Sequence, residues 1–134
     1  TQFGYLEQLH QAHKEKAAFL GVYIREAHAS DGWWPIIDKK AGVDVKQPRS
    51  TDERCAVAAT CSTALKMTMP LLVDKIDDAV GLAYSGMPDR LYVIGKDGRV
   101  AYKGGRGPFG FRPAEMEQVL LLLELEEHLA KAAR

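Results

Sequence analysis

Three groups of residues in this chain have types and spacings that could do chemistry. The first is Arg25-Glu26-Ala27-His28, running into Ser30-Asp31-Gly32. It gathers a guanidinium, a carboxylate and an imidazole within a few positions. An imidazole titrates near about pH 6.5 and can deliver a proton at neutral pH. A neighbouring carboxylate can orient and charge it. The plainer reading is that Glu26 and His28 only tie down a loop by hydrogen bonds. The second group is His10 and His13, spaced to share a helix face and able in principle to hold a metal. No third ligand is visible nearby, so a solvated polar face is expected and no metal site is assigned. The third is Cys55 and Cys61, six apart in a helical pattern. That spacing is about 600° of rotation and about 9 Å of rise, beyond the roughly 7 Å a disulfide spans. Both are expected to be thiols in buried or half-buried positions; resolving an upstream oxidised residue is the redox alternative.

The elements that must position the first group are legible from pattern. Phe19 to Ile24 is an apolar run with β-branched and aromatic members, which reads as a buried strand. Arg25, Glu26 and His28 then fall just past its carboxyl end, where open α/β sheets bind ligands. Ser30-Asp31-Gly32 is turn chemistry: Asp can bond its own backbone and Gly tolerates positive φ. Phe3 to Ala18 reads as a helix on Phe3, Leu6, Leu9, Ala12 and Ala17. Beyond the loop through Trp33, Trp34 and Pro35, Asp38 to Ser50 is an irregular excursion. Ser50 or Thr51 is a plausible N-cap, with Asp52 and Glu53 suited to the first turn. The helix there runs to about Lys66 on Ala56, Val57, Ala59, Ala64 and Leu65.

Pro70 opens a short strand, Leu71 to Val73, which Asp74 ends. Ile76 to Tyr84 is a short helix. Leu91 to Ile94 and Arg99 to Lys103 are antiparallel strands joined by a Lys96-Asp97-Gly98 turn. Gly104 to Arg112 is glycine-rich but lacks the lysine and hydroxyl of a phosphate-binding loop. Pro113 suits the first turn of a last helix reaching about Ala130 through Met116, Val119, Leu120 and Leu123. Val119 to Leu123 is apolar all round, so part of it is expected to pack on more than one neighbour. The order is α/β. It resembles a thioredoxin-like or peroxiredoxin-like mixed sheet flanked by helices, with the first strand missing.

The chain has 134 residues, and one domain over Thr1–Arg134 is expected. Eighteen basic residues balance eighteen acidic ones, which argues against an electrostatic nucleic-acid or membrane partner. No apolar run of about 18 residues is present to span a bilayer. No signal peptide is seen, and a cytoplasmic location is expected.

Tyr23-Ile24-Arg25-Glu26-Ala27-His28-Ala29-Ser30-Asp31-Gly32-Trp33 resembles the signature segment of the iodothyronine deiodinases. Pro88 to Ile94, Gly98 to Pro108 and Pro70 to Asp74 match in the same order. The resemblance runs from about Phe3 to about Leu123. It implies an oxidoreductase that removes iodine from an aromatic ring, with a halogenated phenol as small-molecule substrate. A selenocysteine or cysteine attacks the iodine, and a thiol reductant acts as co-substrate; no bound cofactor is implied. In the family the nucleophile precedes the first helix, so it is expected upstream of Thr1 and the domain is expected to be N-terminally incomplete.

His28 matches the family histidine of proton delivery, and Glu26 the acidic residue beside it. Arg90 and Tyr23 match substrate-binding positions, although Arg90 also reads as a surface ion pair and Tyr23 as strand core. The missing strand would leave exposed edges and a chain prone to form a homodimer. A thiol peroxidase or reductase sharing the fold is the competing function. A binding domain without catalysis is a third.

Overall fold

Proline lacks a backbone donor, and Pro70 accordingly opens a strand in the computed structural model, which describes residues 2–32 and 45–133. Trp33, Trp34, Pro35 and the Asp38–Asp44 part of the predicted excursion lie outside the described residues. In order, the elements are α1 (Gln2–His13), β1 (Gly21–Tyr23), α2 (Thr51–Ala64), β2 (Leu71–Val73), α3 (Ala79–Ala83), β3 (Tyr92–Ile94), β4 (Val100–Lys103) and α4 (Pro113–Ala132). The chain is mixed α/β and falls into two compact units: Leu20–Pro88, and Thr1–Phe19 with Asp89–Arg134.

The Leu20–Pro88 unit is a β-α-β arrangement. β1 runs parallel to β2, with Gly21, Val22 and Tyr23 opposite Leu71, Leu72 and Val73. Gly21 N–H donates to the Pro70 carbonyl and Asp74 N–H to that of Tyr23, both at 2.9 Å, which extends the ladder at each end. The Phe19–Ile24 run was expected to be a buried strand. The ladder is shorter, and Val22 is 41% exposed and Leu20 59%. Among the described residues β1 has β2 as its one partner strand, so it is not enclosed as a central strand would be.

α2 starts where its capping chemistry says. Ser50 Oγ accepts from Glu53 N–H at 3.1 Å, and Glu53 Oε2 accepts from Arg49 N–H at 2.8 Å. Its inward face differs from the predicted one. Arg54 and Ala58 are buried and Val57, Cys61 and Ser62 half-buried, whereas Ala56, Ala59, Ala64 and Leu65 are exposed. The inward residues still follow the helical period. Val57 of the expected set does face inward, but a charged residue occupies the first inward position, so apolar pattern alone otherwise selected the exposed side.

Arg54, 1% exposed, fastens the turn after β2. One guanidinium nitrogen donates to the Lys75 carbonyl at 2.7 Å and the Asp74 carbonyl at 3.3 Å, and pairs with Asp78 Oδ1 at 2.8 Å. Thr51 Oγ1 accepts from Ile76 N–H at 3.2 Å. Asp74, also buried, accepts from the Val80 and Gly81 amides at 3.1 and 2.7 Å, which starts α3. These polar contacts confine α3 to Ala79–Ala83, inside the predicted Ile76–Tyr84.

In the other unit, α1 and α4 pack on the β3–β4 hairpin. Leu9, Leu91 and Met116 form the core, with Tyr5, Leu6, Phe19, Val93, Tyr102 and Phe111 against it. The hairpin turn is as expected: Gly98 has φ +77° and Gly95 N–H donates to the Arg99 carbonyl at 2.8 Å. Pro113 opens α4. α1 stops at His13, five residues short of the predicted Ala18, where Ala17 N–H closes back onto the His13 carbonyl at 2.9 Å.

The predicted solvated face of His10 and His13 is corrected. His13 is 8% exposed, with Nδ1 3.0 Å from Glu124 Oε1 and Nε2 3.7 Å from Glu117 Oε1. Tyr5 Oη donates to Glu117 Oε2 at 2.6 Å. A carboxylate pair on α4 therefore draws the imidazole inward. His10 lies with its ring centroid 5.5 Å from that of Phe19. Of the Val119–Leu123 run, Leu120 is buried, whereas Leu121 and Leu122 are 48% and 58% exposed. The glycine-rich loop 104–112 has a packing reason. Gly105 and Gly110 meet backbone to backbone, and a Cβ on Gly110 would strike Gly105.

Cys55 and Cys61 are free, as helical spacing required; Cys61 is half-buried as expected, but Cys55 is exposed on the outward side of α2, which corrects the buried or half-buried position expected for it. Burial, and then the nearby Glu26 charge, push the Cys61 thiol up. In native protein a thiol reagent should label Cys55 first and Cys61 far more slowly, with both accessible after denaturation. Equal native rates would contradict this placement.

Candidate functional site

A chain that leaves β1 at Tyr23 must satisfy its backbone polar groups without a ladder. It does so by lacing two loops together. Glu26 N–H donates to Gln47 Oε1 at 3.0 Å, Gln47 N–H to Asp31 Oδ1 at 2.8 Å, and Ser30 N–H to the Val45 carbonyl at 2.8 Å. Gly32 N–H closes the expected turn onto the Ala29 carbonyl at 2.9 Å. Asp31 thus serves a backbone amide sixteen residues away rather than its own, as the turn reading had it. Ala29 is 5% exposed and anchors the loop.

Between these loops lies a cleft of about 420 Å³, lined by Arg25, Glu26, Asp31, Gln47, Arg49 and Met87 among others. Glu26 is half-buried. Burial raises its carboxyl above the ordinary range, and the charge of His28 works against that rise. His28 itself is exposed on the same loop. The site loop therefore carries a half-buried carboxyl, raised by burial, that is linked by charge to the imidazole two positions on. Tyr23 ends β1, half-buried, and its hydroxyl is buried with no partner among the described residues.

Arg90 belongs to the other unit, in the turn leading to β3. It is half-buried, and its Nε is buried without a partner among the described residues. Asp89 beside it is raised by burial, and a Cβ on Gly107 would run into its carboxylate. The structure brings Tyr23, Glu26 and His28 together in one unit and sets Arg90 in the other.

Two residues of functional interest were not anticipated: Gln47 locks the site loop and Arg49 lines the cleft. Gln47 and Arg49 fall in a stretch with no periodic pattern, so no sequence signal marked them. Cys61, a redox candidate in the sequence, lies within electrostatic reach of Glu26. Among the described residues no group of three His, Cys, Asp or Glu side chains could hold a metal. No helix is long and apolar enough to cross a membrane, again among the described residues.

The raised carboxyl of Glu26 makes a stability prediction. The folded state holds this proton more tightly than the unfolded chain does. The stability so gained is complete below the ordinary carboxyl range and is lost as pH rises through the raised value. Glu26→Gln, which cannot ionise, should melt higher than the parent protein at neutral pH and level with it in acid. A parent protein that melts higher at neutral pH would contradict the raised carboxyl.

A family model described as iodothyronine deiodinase matches residues 1–124. The chain is 35% identical over 104 residues to the type I iodothyronine deiodinase of Xenopus laevis, covering 78% of this chain and 39% of that protein. It is 34% identical over 120 residues to the thyroxine 5-deiodinase of Sparus aurata, covering 90% and 43% respectively. Against the type II iodothyronine deiodinase of Petromyzon marinus, identity is 38% over 107 residues, covering 78% and 35%. The chain thus spans about two fifths of the length of these relatives.

Proposed function

The chain belongs to the iodothyronine deiodinase family, and from that premise we propose that it performs deiodinase-type reductive removal of iodine, extending to other halogenated phenols. A selenolate or thiolate takes the iodine as a nucleophile–iodine adduct, and the ring carbon takes a proton in its place. One thiol displaces iodide to give a mixed disulfide or selenenyl sulfide. A second thiol releases the nucleophile, so two thiols become one disulfide and hydrogen iodide leaves. His28 delivers the proton and Glu26 orients and charges it; Arg90 and Tyr23 contact the substrate.

The nucleophile is proposed to be a selenocysteine or cysteine upstream of Thr1. The half-buried Cys61, its thiol pushed up by burial and by Glu26, is a poor thiolate for this role. We further propose a thioredoxin-like arrangement for the single domain. Its support is the parallel β1–α2–β2 crossover followed by the antiparallel β3–β4 hairpin and a closing helix. A cytoplasmic location and a homodimer complete the proposal.

The observation that carries the reading is Glu26: half-buried, raised by burial, and charge-linked to His28 at the carboxyl end of β1. The test is incubation of the natural full-length protein with a diiodophenol and excess dithiol. Iodide should appear in step with disulfide. Peroxide consumption without iodide release would move the protein to the thiol peroxidase class, and neither activity would sink both readings.

A further inference from the structure

Gln47 stands at the joint of the loop that carries Glu26 and His28. Its side-chain Oε1 accepts from Glu26 N–H at 3.0 Å, and its own N–H donates to Asp31 Oδ1 at 2.8 Å. The partner of the side chain is a donor, so the amide must present its oxygen there, which fixes its orientation. Two residues before it, the Val45 carbonyl accepts from Ser30 N–H at 2.8 Å. The arc from Glu26 to Asp31 is therefore pinned at its start and at its end to one short segment, with His28 between the pins. That segment is itself held. Pro48 is buried, and a residue before proline is confined to extended backbone. Arg49 N–H and Ser50 Oγ then make the capping contacts that open α2, at 2.8 and 3.1 Å. The site loop is thus referred to the start of a 14-residue helix as well as to β1.

We propose that Gln47 is the positioning residue of the Glu26–His28 pair: its side-chain carbonyl holds the loop in the placement from which His28 delivers a proton. An exposed side chain on a loop with a free backbone samples many directions, and a misplacement of about 1 Å can cost about 10²-fold in rate. The acceptor for Glu26 N–H belongs to a side chain, so a substitution can remove it and leave the main chain whole. Glutamate offers the same acceptor at the same reach. The amide of asparagine falls one methylene short, and methionine has the reach but only a weak acceptor. The effect on turnover rests on the proposed function, whereas the pinning is read without turnover.

The test combines backbone amide exchange with iodide release, both in the natural full-length protein. In Gln47→Met and Gln47→Asn the Glu26 amide should exchange about tenfold faster, the worth of one hydrogen bond. The Asp74 amide, bonded to the Tyr23 carbonyl at the end of the β1–β2 ladder, should keep the parent rate. Gln47→Glu should keep the Glu26 amide protected. In turnover, Gln47→Met should lower kcat by about tenfold or more with KM close to the parent value, and Gln47→Glu should recover part of that loss. A residue that only supports the fold would lose activity equally in any background. In His28→Ala, by contrast, adding Gln47→Met should cost nothing further, because the group that Gln47 places is gone. An unchanged Glu26 amide, equal acceleration at Asp74, full turnover in Gln47→Met, or additive losses with His28→Ala would each overturn the proposal. A parent protein that releases no iodide removes the deiodinase reading, and the exchange rates then decide the pinning by themselves.

Discussion

Replacing His28 with alanine lowers the rate of iodide release by about 10²-fold or more, the usual worth of a positioned general acid. The side chain is exposed on the loop after β1, so the melting temperature should stay close to that of the parent protein. The loss should fall on kcat, with KM little changed, because proton delivery belongs to the transition state rather than to substrate binding. Added imidazole should restore part of the rate, which a residue that only shaped the loop would not permit. Glu26→Gln should also slow turnover, and the double variant should be little worse than His28→Ala alone, since the two groups act as one unit. Full activity in His28→Ala would remove the histidine from the mechanism.

Arg54→Ala should cost about 3–5 kcal/mol of folding stability, the usual penalty for removing one partner of a buried ion pair. The side chain is 1% exposed and serves Asp78 Oδ1 and the carbonyls of Asp74 and Lys75. Its removal leaves a carboxylate and two carbonyl oxygens short of donors in a region that water reaches poorly. Combining Arg54→Leu with Asp78→Leu should recover part of the loss, because no charge is then stranded. Urea denaturation reads both results. A loss below about 1 kcal/mol for Arg54→Ala would mean that the guanidinium contributes no more than a surface contact. Arg54→Ala should lower activity through the folded fraction, leaving the KM of the surviving molecules unchanged.

Where local chemistry decides, the sequence was readable. Ser50 caps α2, Pro113 opens α4, Gly98 supplies the positive φ of the hairpin, and Pro70 and Asp74 bracket β2. Each rests on a residue whose own backbone preference or short side chain fixes the outcome. Placement of Glu26 and His28 just past β1 was readable for the same reason. What was not readable depends on partners distant in the chain. The inward face of α2 turns on Arg54, whose partners lie about twenty residues further on. His13 is drawn inward by Glu117 and Glu124 at the far end of the chain. The lacing of Glu26 to Gln47 crosses a stretch with no periodicity at all.

The contact between Gly105 and Gly110 also governs which substitutions the loop can accept. A side chain can usually escape a clash by changing rotamer, but a Cβ is fixed by the backbone that bears it. On Gly110 that atom would press on the Gly105 backbone, which has no rotamer to give. Alanine, ordinarily the mildest replacement, should therefore be nearly as damaging there as tryptophan. Phe109, one position earlier and 90% exposed, should accept almost any residue. A saturation library over residues 104–112 would then show adjacent extremes of tolerance, with Gly110 among the least replaceable positions and Phe109 among the most.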